Sequence, residues 1–271
     1  MLWFSYGGWL NGWAQGELSR YVELRRRQII VHGQGGLGIA GTMLAGKIRN
    51  SRTLLRRNSR EPVAESVLRT MKAMEQQVVD APTRGSMMGF EGTAARLYFG
   101  CFTAMLSDRD SDLARSFSEA GRNRRPPRDP VNCLLSFVYG LLVKDLVAVC
   151  LGVGLDPFIG LLHAPRFGRP SLALDLAEEF RPLIGDSVVL QVLNNGEVKS
   201  SDFNSRSRGV MLSQQGRRAV IAAYERRLDM TVRHPHFGYQ ISYRRVMDVQ
   251  ARMLASVLIG ELPAYQAMTT R

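Results

Sequence analysis

Apolar side chains return every three or four positions over most of this chain, the period of a helix that buries one face. The spacing predicts helices over roughly 37–57, 61–79, 90–106, 130–152, 171–184, 213–232 and 243–260. Start signals support several of them. Asp129 is an N-cap ahead of Pro130, whose missing N–H is no loss at a first helical position, and Ser213 caps the helix after it. Between these, "LNNGEVKSSDFNSRSRGVML" (193–212) loses the period and suits a turn and a short hairpin. "GRNRRPPRDP" (121–130) reads as a basic, proline-stiffened connection. The run 131–155 is almost wholly apolar, but Lys144 and Asp145 at its centre favour a buried helix over a membrane span. The opening "MLWFSYGGWLNGW" is aromatic, broken by Gly and Asn, and lacks a basic segment, so it reads as a fragment of sheet and not as a signal peptide or span. The fold class is mainly α.

Two places break the polar pattern in ways that bear on chemistry. On a helix, Asp175, Glu178 and Glu179 project from one side, while Leu172, Leu176, Phe180 and Leu183 take the other. Alone, this favours a solvated acidic face. The second place is "APTRGSMMGFEGTAARLYFGCFTAMLS" (81–107), where Glu91 is the sole carboxylate, at the start of an apolar helix. An acid there needs a partner: a metal ion, an arginine such as Arg96, or the helix N-terminus. With His163, Glu91 and Glu178 would form an oxygen-rich set carrying one imidazole, suited to Mg²⁺ or Mn²⁺ more than to structural Zn²⁺.

Charge changes the picture further. The 271 residues carry 36 Lys and Arg against 24 Asp and Glu, a formal net charge of +12; four of the basic residues are Lys, leaving 32 Arg. The planar guanidinium fork suits phosphate, so the excess points to a polyanionic partner, nucleic acid above all. In "KIRNSRTLLRRNSR", Arg49, Arg52, Arg56 and Arg60 line one helix face with no acid among them, as a phosphate-tracking stripe would. "GQGGLG" (33–38) fits GxGxxG, but the basic helix after it lacks the second strand and acid of a dinucleotide site; it reads as a helix connection. His234 and His236 in "RHPHFGYQ" have no carboxylate or thiolate nearby, and a packing loop is the better reading. Cys101, Cys133 and Cys150 lack CxxC spacing and read as reduced, buried hydrophobes of a cytoplasmic protein. No GxSxG elbow, HExxH or Walker loop supports a serine hydrolase, zincin or nucleotide hydrolase.

Taken together, "SYGGW" (5–9), "KIRNSRTLLRR" (47–57), "EGTAARLYF" (91–99), "RRPPRDPVNCLLSFVYGLL" (124–142), "GLDPFIGLLH" (154–163), "PSLALDLAEEFRP" (170–182) and the tail from "HPHFGYQ" to "LPAY" resemble the CRISPR-associated adaptation integrase and endonuclease family, "Cas-one". The resemblance is to the branch linked or fused to the "Cas-four" nuclease. It implies a helical catalytic domain over 16–271, with 1–15 a remnant and linker of an N-terminal β domain that is largely missing here. It implies a Mg²⁺ or Mn²⁺ site of Glu91, His163 and Glu178 with Asp175 as supporting acid, Tyr139 near the active centre, and Arg166 where a basic residue touches DNA. Glu179 is left as an ordinary helix charge. Arg49, Arg52, Arg56 and Arg60, with Arg124, Arg125 and Arg128 of the connection, would hold the DNA backbone. The implied activity is insertion of spacer DNA into a CRISPR array by 3′-hydroxyl attack on a phosphodiester. The implied partners are double-stranded prespacer and repeat DNA, a second copy of the chain, "Cas-two" and "Cas-four", with no membrane. The alternatives are a chain that binds DNA non-specifically, or a nuclease that cuts but cannot integrate.

Overall fold

The computed structural model describes residues 2–4, 10–13, 20–108, 111–123, 126–206 and 209–270. Strands β1 (Leu2–Phe4) and β2 (Leu10–Trp13) pair antiparallel at the start. Helices α1 (Arg20–Gly33), α2 (Leu37–Asn58), α3 (Glu65–Gln77), α4 (Arg84–Gly100), α5 (Asp112–Ala120) and α6 (Pro130–Val153) follow. Next come α7 (Ser171–Phe180) and α8 (Ser187–Asn194), then a hairpin of β3 (Phe203–Arg206) and β4 (Gly209–Leu212). Helix α9 (Gln214–Asp229), the pair β5 (Thr231–Arg233) and β6 (Gln240–Ser242), and α10 (Tyr243–Leu258) complete the chain. The fold is mainly α, as the hydrophobic period implies.

The predicted caps are present: Asp129 accepts from the Asn132 N–H at 2.8 Å and Ser213 from the Gly216 N–H at 3.0 Å. The predicted hairpin is β3–β4. Three helices, α1, α5 and α8, lie outside the predicted set. In α1, Leu24 and Gln28 are buried while Val22, Ile29 and Ile30 face outward, so no apolar stripe marks it. Helix α5 buries Ala114 and Phe117 on one face, but its nine residues fall short of the window of about 11 residues over which a helical period is read. Helix α4 begins at Arg84, six positions before the expected start, because Thr83 and Ser86 form a reciprocal capping box. Glu91 is therefore two turns inside its helix, and the helix N-terminus cannot serve it.

Helix α7 sits between α2 and α6 and is buried on nearly every side. It runs into α8 through a wide turn at Arg181–Asp186 with π-type hydrogen bonding. Pro182 explains the turn, since it has no N–H for a regular helical bond. The freed carbonyls find other donors: Ser187 Oγ reaches Pro182 O at 2.9 Å, and Arg227 Nε reaches Leu183 O at 2.8 Å. Helix α6 is the one helix among the described residues long and apolar enough to cross a membrane by length and composition. Here it packs on α5, α7, α9 and α10, and its central Asp145 accepts a bond from the buried Tyr224 hydroxyl at 2.8 Å.

The connection Gly33–Gly36 joins α1 to α2 without the strand a dinucleotide site needs. Gly36 has φ +55°, and a Cβ there would stand 2.9 Å from the Leu161 side chain, so this connection is pressed against the loop that leads to His163.

Candidate metal and nucleic-acid site

Glu91 on α4 and Glu178 on α7 meet at one cation, the ammonium of Lys47 on α2. Lys47 Nζ pairs with Glu91 Oε1, and lies 2.6 Å from Glu178 Oε2. Arg181, one turn beyond Glu178, reaches its other oxygen at 3.1 Å. Burial pushes the Glu178 carboxyl up, but Arg181, Lys47 and His163 outweigh it and hold the group at about 2. Burial likewise works against the Lys47 charge, and Glu178 and Glu91 overcome it to raise its pKa. The partner of Glu91 is thus Lys47; Arg96 is exposed.

His163 stands at the end of the 154–163 loop with Nε2 4.0 Å from Glu178 Oε1. Asp175 fixes it. This fully buried carboxylate accepts the backbone N–H of Leu161, Leu162 and His163 at 2.5, 3.0 and 2.9 Å. Its Oδ1 also lies 2.6 Å from His163 Nδ1. A carboxylate only accepts, so Nδ1 donates, and Nε2, the nitrogen that faces Glu178, is the one the neutral ring would offer to a metal ion. Gly160 allows the close fit, since a Cβ there would stand 2.8 Å from Asp175 Oδ2. From outside, α1 clamps the same loop. The buried Gln28 donates to Asp156 O at 2.7 Å and Ile159 O at 2.8 Å and accepts from the Asp156 N–H at 2.9 Å, while His32 Nδ1 meets Gly160 O at 2.6 Å. Arg84 adds a bond to Leu161 O at 3.1 Å.

Tyr139 is engaged behind the site. Its hydroxyl donates to Asp186 Oδ1 at 2.5 Å, and the Tyr98 hydroxyl donates to Oδ2 at 2.8 Å. Burial holds both phenols well above their ordinary range, and the Arg181 guanidinium lies 4.7 Å from the Tyr139 ring centre. Tyr139 therefore lies behind the carboxylates, where its hydroxyl holds Asp186 and its ring backs Arg181. Lys47, Arg181 and Asp186 were absent from the predicted site. Lys47 could have been found: it follows Met43 by one turn and so falls on the buried face of α2, where an ammonium requires a carboxylate.

Glu179 corrects the sequence reading. It is no ordinary helix charge but a fully buried carboxyl bonded by Tyr265 Oη at 2.5 Å, Met268 N–H at 2.7 Å and Gln250 Nε2 at 3.2 Å. Burial drives its pKa up to about 7 against these donors. Asn50 of α2 adds bonds to Glu179 O and Met268 O, so this cluster pins the C-terminal tail. Gln250 also meets His234 Nε2 at 3.3 Å, and the buried His234 is a packing residue, as its loop suggested.

The residues present fit a divalent cation. Glu178 Oε2 is buried, accepts no hydrogen bond of good geometry despite Lys47 at 2.6 Å, and faces the same ammonium as Glu91. Two carboxylates and an imidazole with a free lone pair form the oxygen-rich set that Mg²⁺ and Mn²⁺ accept. Among the described residues no three such side chains close on a single point as they stand, and Lys47 holds the carboxylates instead.

The arginine stripe is divided. Arg49, Arg56 and Arg60 are exposed, whereas Arg52 is half-buried and pairs with Glu75 of α3 at 3.1 Å. Arg49 lines a broad groove of about 1170 Å³ with Arg57, Arg227 and Arg233. Arg128 and Arg166 are exposed, and Arg124 and Arg125 lie outside the described residues.

Residues 1–226 match the profile of the family described as CRISPR associated protein Cas1. The chain belongs to the Cas1 family. A Cas4/Cas1 exonuclease–endonuclease fusion of Geobacter sulfurreducens is 44% identical over 99% of this chain and 49% of its own length, which places the chain with the Cas4-fused branch. The chain spans about half the length of the fused relatives it matches. A Cas1 protein from Thermotoga maritima superposes with TM-score 0.75 at 27% identity, covering 100% of this chain and 80% of that one. A Cas6-RT-Cas1–Cas2 complex shares the fold with TM-score 0.80 at 24% identity over 97% of this chain and 28% of that one. The first superposition agrees with the family assignment, and the second with the helical architecture of a Cas1 catalytic domain.

Proposed function

We propose that this Cas1 chain is the catalytic part of a metal-dependent DNA endonuclease and integrase of CRISPR adaptation, joining spacer DNA to a repeat by 3′-hydroxyl attack on a phosphodiester. The observation that carries the reading is the meeting of Glu91 and Glu178 on one ammonium, beside a histidine whose free nitrogen is aimed by Asp175. Glu91, His163 and Glu178 would hold Mg²⁺ or Mn²⁺. Such an ion neutralises charge on the phosphate and aligns the attacking and leaving oxygens.

The chain's own groups do the rest. Asp175 orients the imidazole through its Nδ1 and holds the loop beneath it through three backbone N–H bonds. Arg181, backed by the Tyr139 ring, stays beside Glu178 as a fixed positive charge facing an incoming phosphate. The exposed arginines of α2 track the backbone of double-stranded DNA without reading bases. The names of the relatives support Cas2 and the Cas4 nuclease as partners; a second copy of the chain and a cytoplasmic setting belong to the same proposal.

Glu91→Gln and His163→Ala are expected to lower Mg²⁺- or Mn²⁺-dependent cleavage and strand transfer of branched DNA by roughly 10²-fold or more, and to weaken Mn²⁺ binding by calorimetry, with melting cooperativity kept. Wild-type activity in either variant overturns the assignment. Salt-sensitive DNA binding with no cleavage at any divalent ion would instead mark a DNA-binding chain.

A further inference from the structure

Directly after His163 the chain makes a small built turn. Arg166 and Arg169 face each other as a single β-bridge, with the Arg169 N–H bonded to Arg166 O at 3.0 Å. Gly168 supplies the left-handed backbone at φ +68°. Ser171, at the start of α7, ties both sides down: its N–H meets Arg169 O at 2.8 Å and its hydroxyl meets Ala164 O at 3.1 Å. Pro165 and Pro170 bracket the turn. A segment fixed in this way pays little ordering entropy when it meets a ligand.

At its tip is Phe167, 109% exposed, against 72% for the next most exposed large hydrophobic among the described residues, Val22. Scattered exposed apolar residues are normal, but the others on that surface keep part of their side chain against the protein. The Phe167 ring rests on nothing. Among the described residues neither Arg166 nor Arg169 takes an ion pair, and the two flank Phe167 in the turn. Four positions separate Phe167 from His163, which keeps the ring within roughly 14 Å of it along the chain. That is a few nucleotides at about 3.4 Å of rise.

We propose that Phe167 is a stacking platform for an unpaired DNA base beside the reacting phosphodiester, with Arg166 and Arg169 on the neighbouring phosphates. This rests on the DNA-processing reading above and adds to it the part of the substrate gripped at this point, a single-stranded or branched end. An aromatic face flanked by cations is complementary to a base flanked by phosphates. A second copy of the chain is a poor occupant, since a two-fold contact there would bring the same two arginines against each other.

The test uses the full chain with EDTA present, so that binding is read apart from catalysis. Fluorescence anisotropy on branched DNA with a 3′ single-stranded arm compares wild type with Phe167→Ala, Phe167→Leu and Phe167→Trp, and 2-aminopurine in the arm reports stacking. The expected result is a roughly 5- to 150-fold loss of affinity for the Ala and Leu variants, with unchanged salt slope, unchanged affinity for blunt duplex and loss of 2-aminopurine quenching. Phe167→Trp keeps wild-type affinity. The ring packs on nothing, so melting curves should coincide. Wild-type affinity in Phe167→Ala overturns the proposal, as does full binding by Phe167→Leu, or a change confined to sedimentation behaviour. A wild-type chain that binds this DNA but never cuts it would sink the catalytic reading alone and leave the Phe167 comparison intact.

Discussion

Glu178 and Glu179 are neighbours in sequence with opposite electrostatic fates. Two cations face the first and hold it at about 2; the second meets only neutral donors, and burial takes it to about 7. The sign of the pH dependence follows. Glu179 binds its proton more tightly in the fold than an ordinary glutamate, near 4.5, so its contribution is full below pH 4.5 and is lost as pH rises through about 7. The loss is on the order of 3 kcal/mol. Urea unfolding between pH 4.5 and 7.5 should show this fall in the wild type, and Glu179→Gln should flatten it whatever its absolute stability. An unchanged slope in the variant would refute the assignment. At this scale the sequence showed what was chemically out of place. Glu91 drew attention as an acid in an apolar helix, and His163 and Glu178 followed from it. Lys47 did not, because a lysine beside so many arginines reads as one more surface charge. Nor did the burial of Glu179, whose partners Gln250, Tyr265 and Met268 come from the far end of the chain.

The helical run from Ser171 to Asn194 depends on its wide turn at Arg181–Asp186. That turn sets Asp186 against two tyrosines while Glu178 still faces α2. Gly185 makes it possible, since a Cβ there would stand 2.7 Å from Cε1 of Tyr139. Gly185→Ala should push the ring aside, break its bond to Asp186 and destabilise the chain by about 1–3 kcal/mol, read as a lowered denaturant midpoint with the m-value kept. A variant as stable as wild type would show that the ring has room to move. Elements with a cap and a long apolar or periodic run, such as α6, α9 and α10, were legible in the sequence. Helix α7 was legible too, but its continuation past residue 184 was not, because a segment apolar on all sides has no period to follow. Helix α1 was lost for the opposite reason: apolar Val22, Ile29 and Ile30 share its outer face with charges, while its key inward residue is the polar Gln28.

For the whole molecule, the excess of positive charge is spread unevenly. The groove that Arg49 and Arg57 line lies across α2 from Lys47, so the helix that neutralises the carboxylates also presents guanidinium groups to solvent. If duplex DNA lies there, each arginine on a phosphate steepens the salt dependence by about 0.9 in log–log slope. The double variant Arg49→Ala/Arg57→Ala should reduce the slope by about 2, measured as anisotropy between 50 and 200 mM salt. An unchanged slope would move the DNA to another face.

Helix α1 reaches across 128 positions of sequence to grip the loop that carries the histidine. Three bonds from Gln28 and one from His32 are lost together if α1 lifts away, and nothing in α7 replaces them at Asp156 and Ile159. The loop and α1 therefore form one opening unit, whose local stability is set by a helix that carries no member of the metal-binding set. A displacement of α1 is passed to Asp156, Ile159 and Gly160, in the loop that ends at His163.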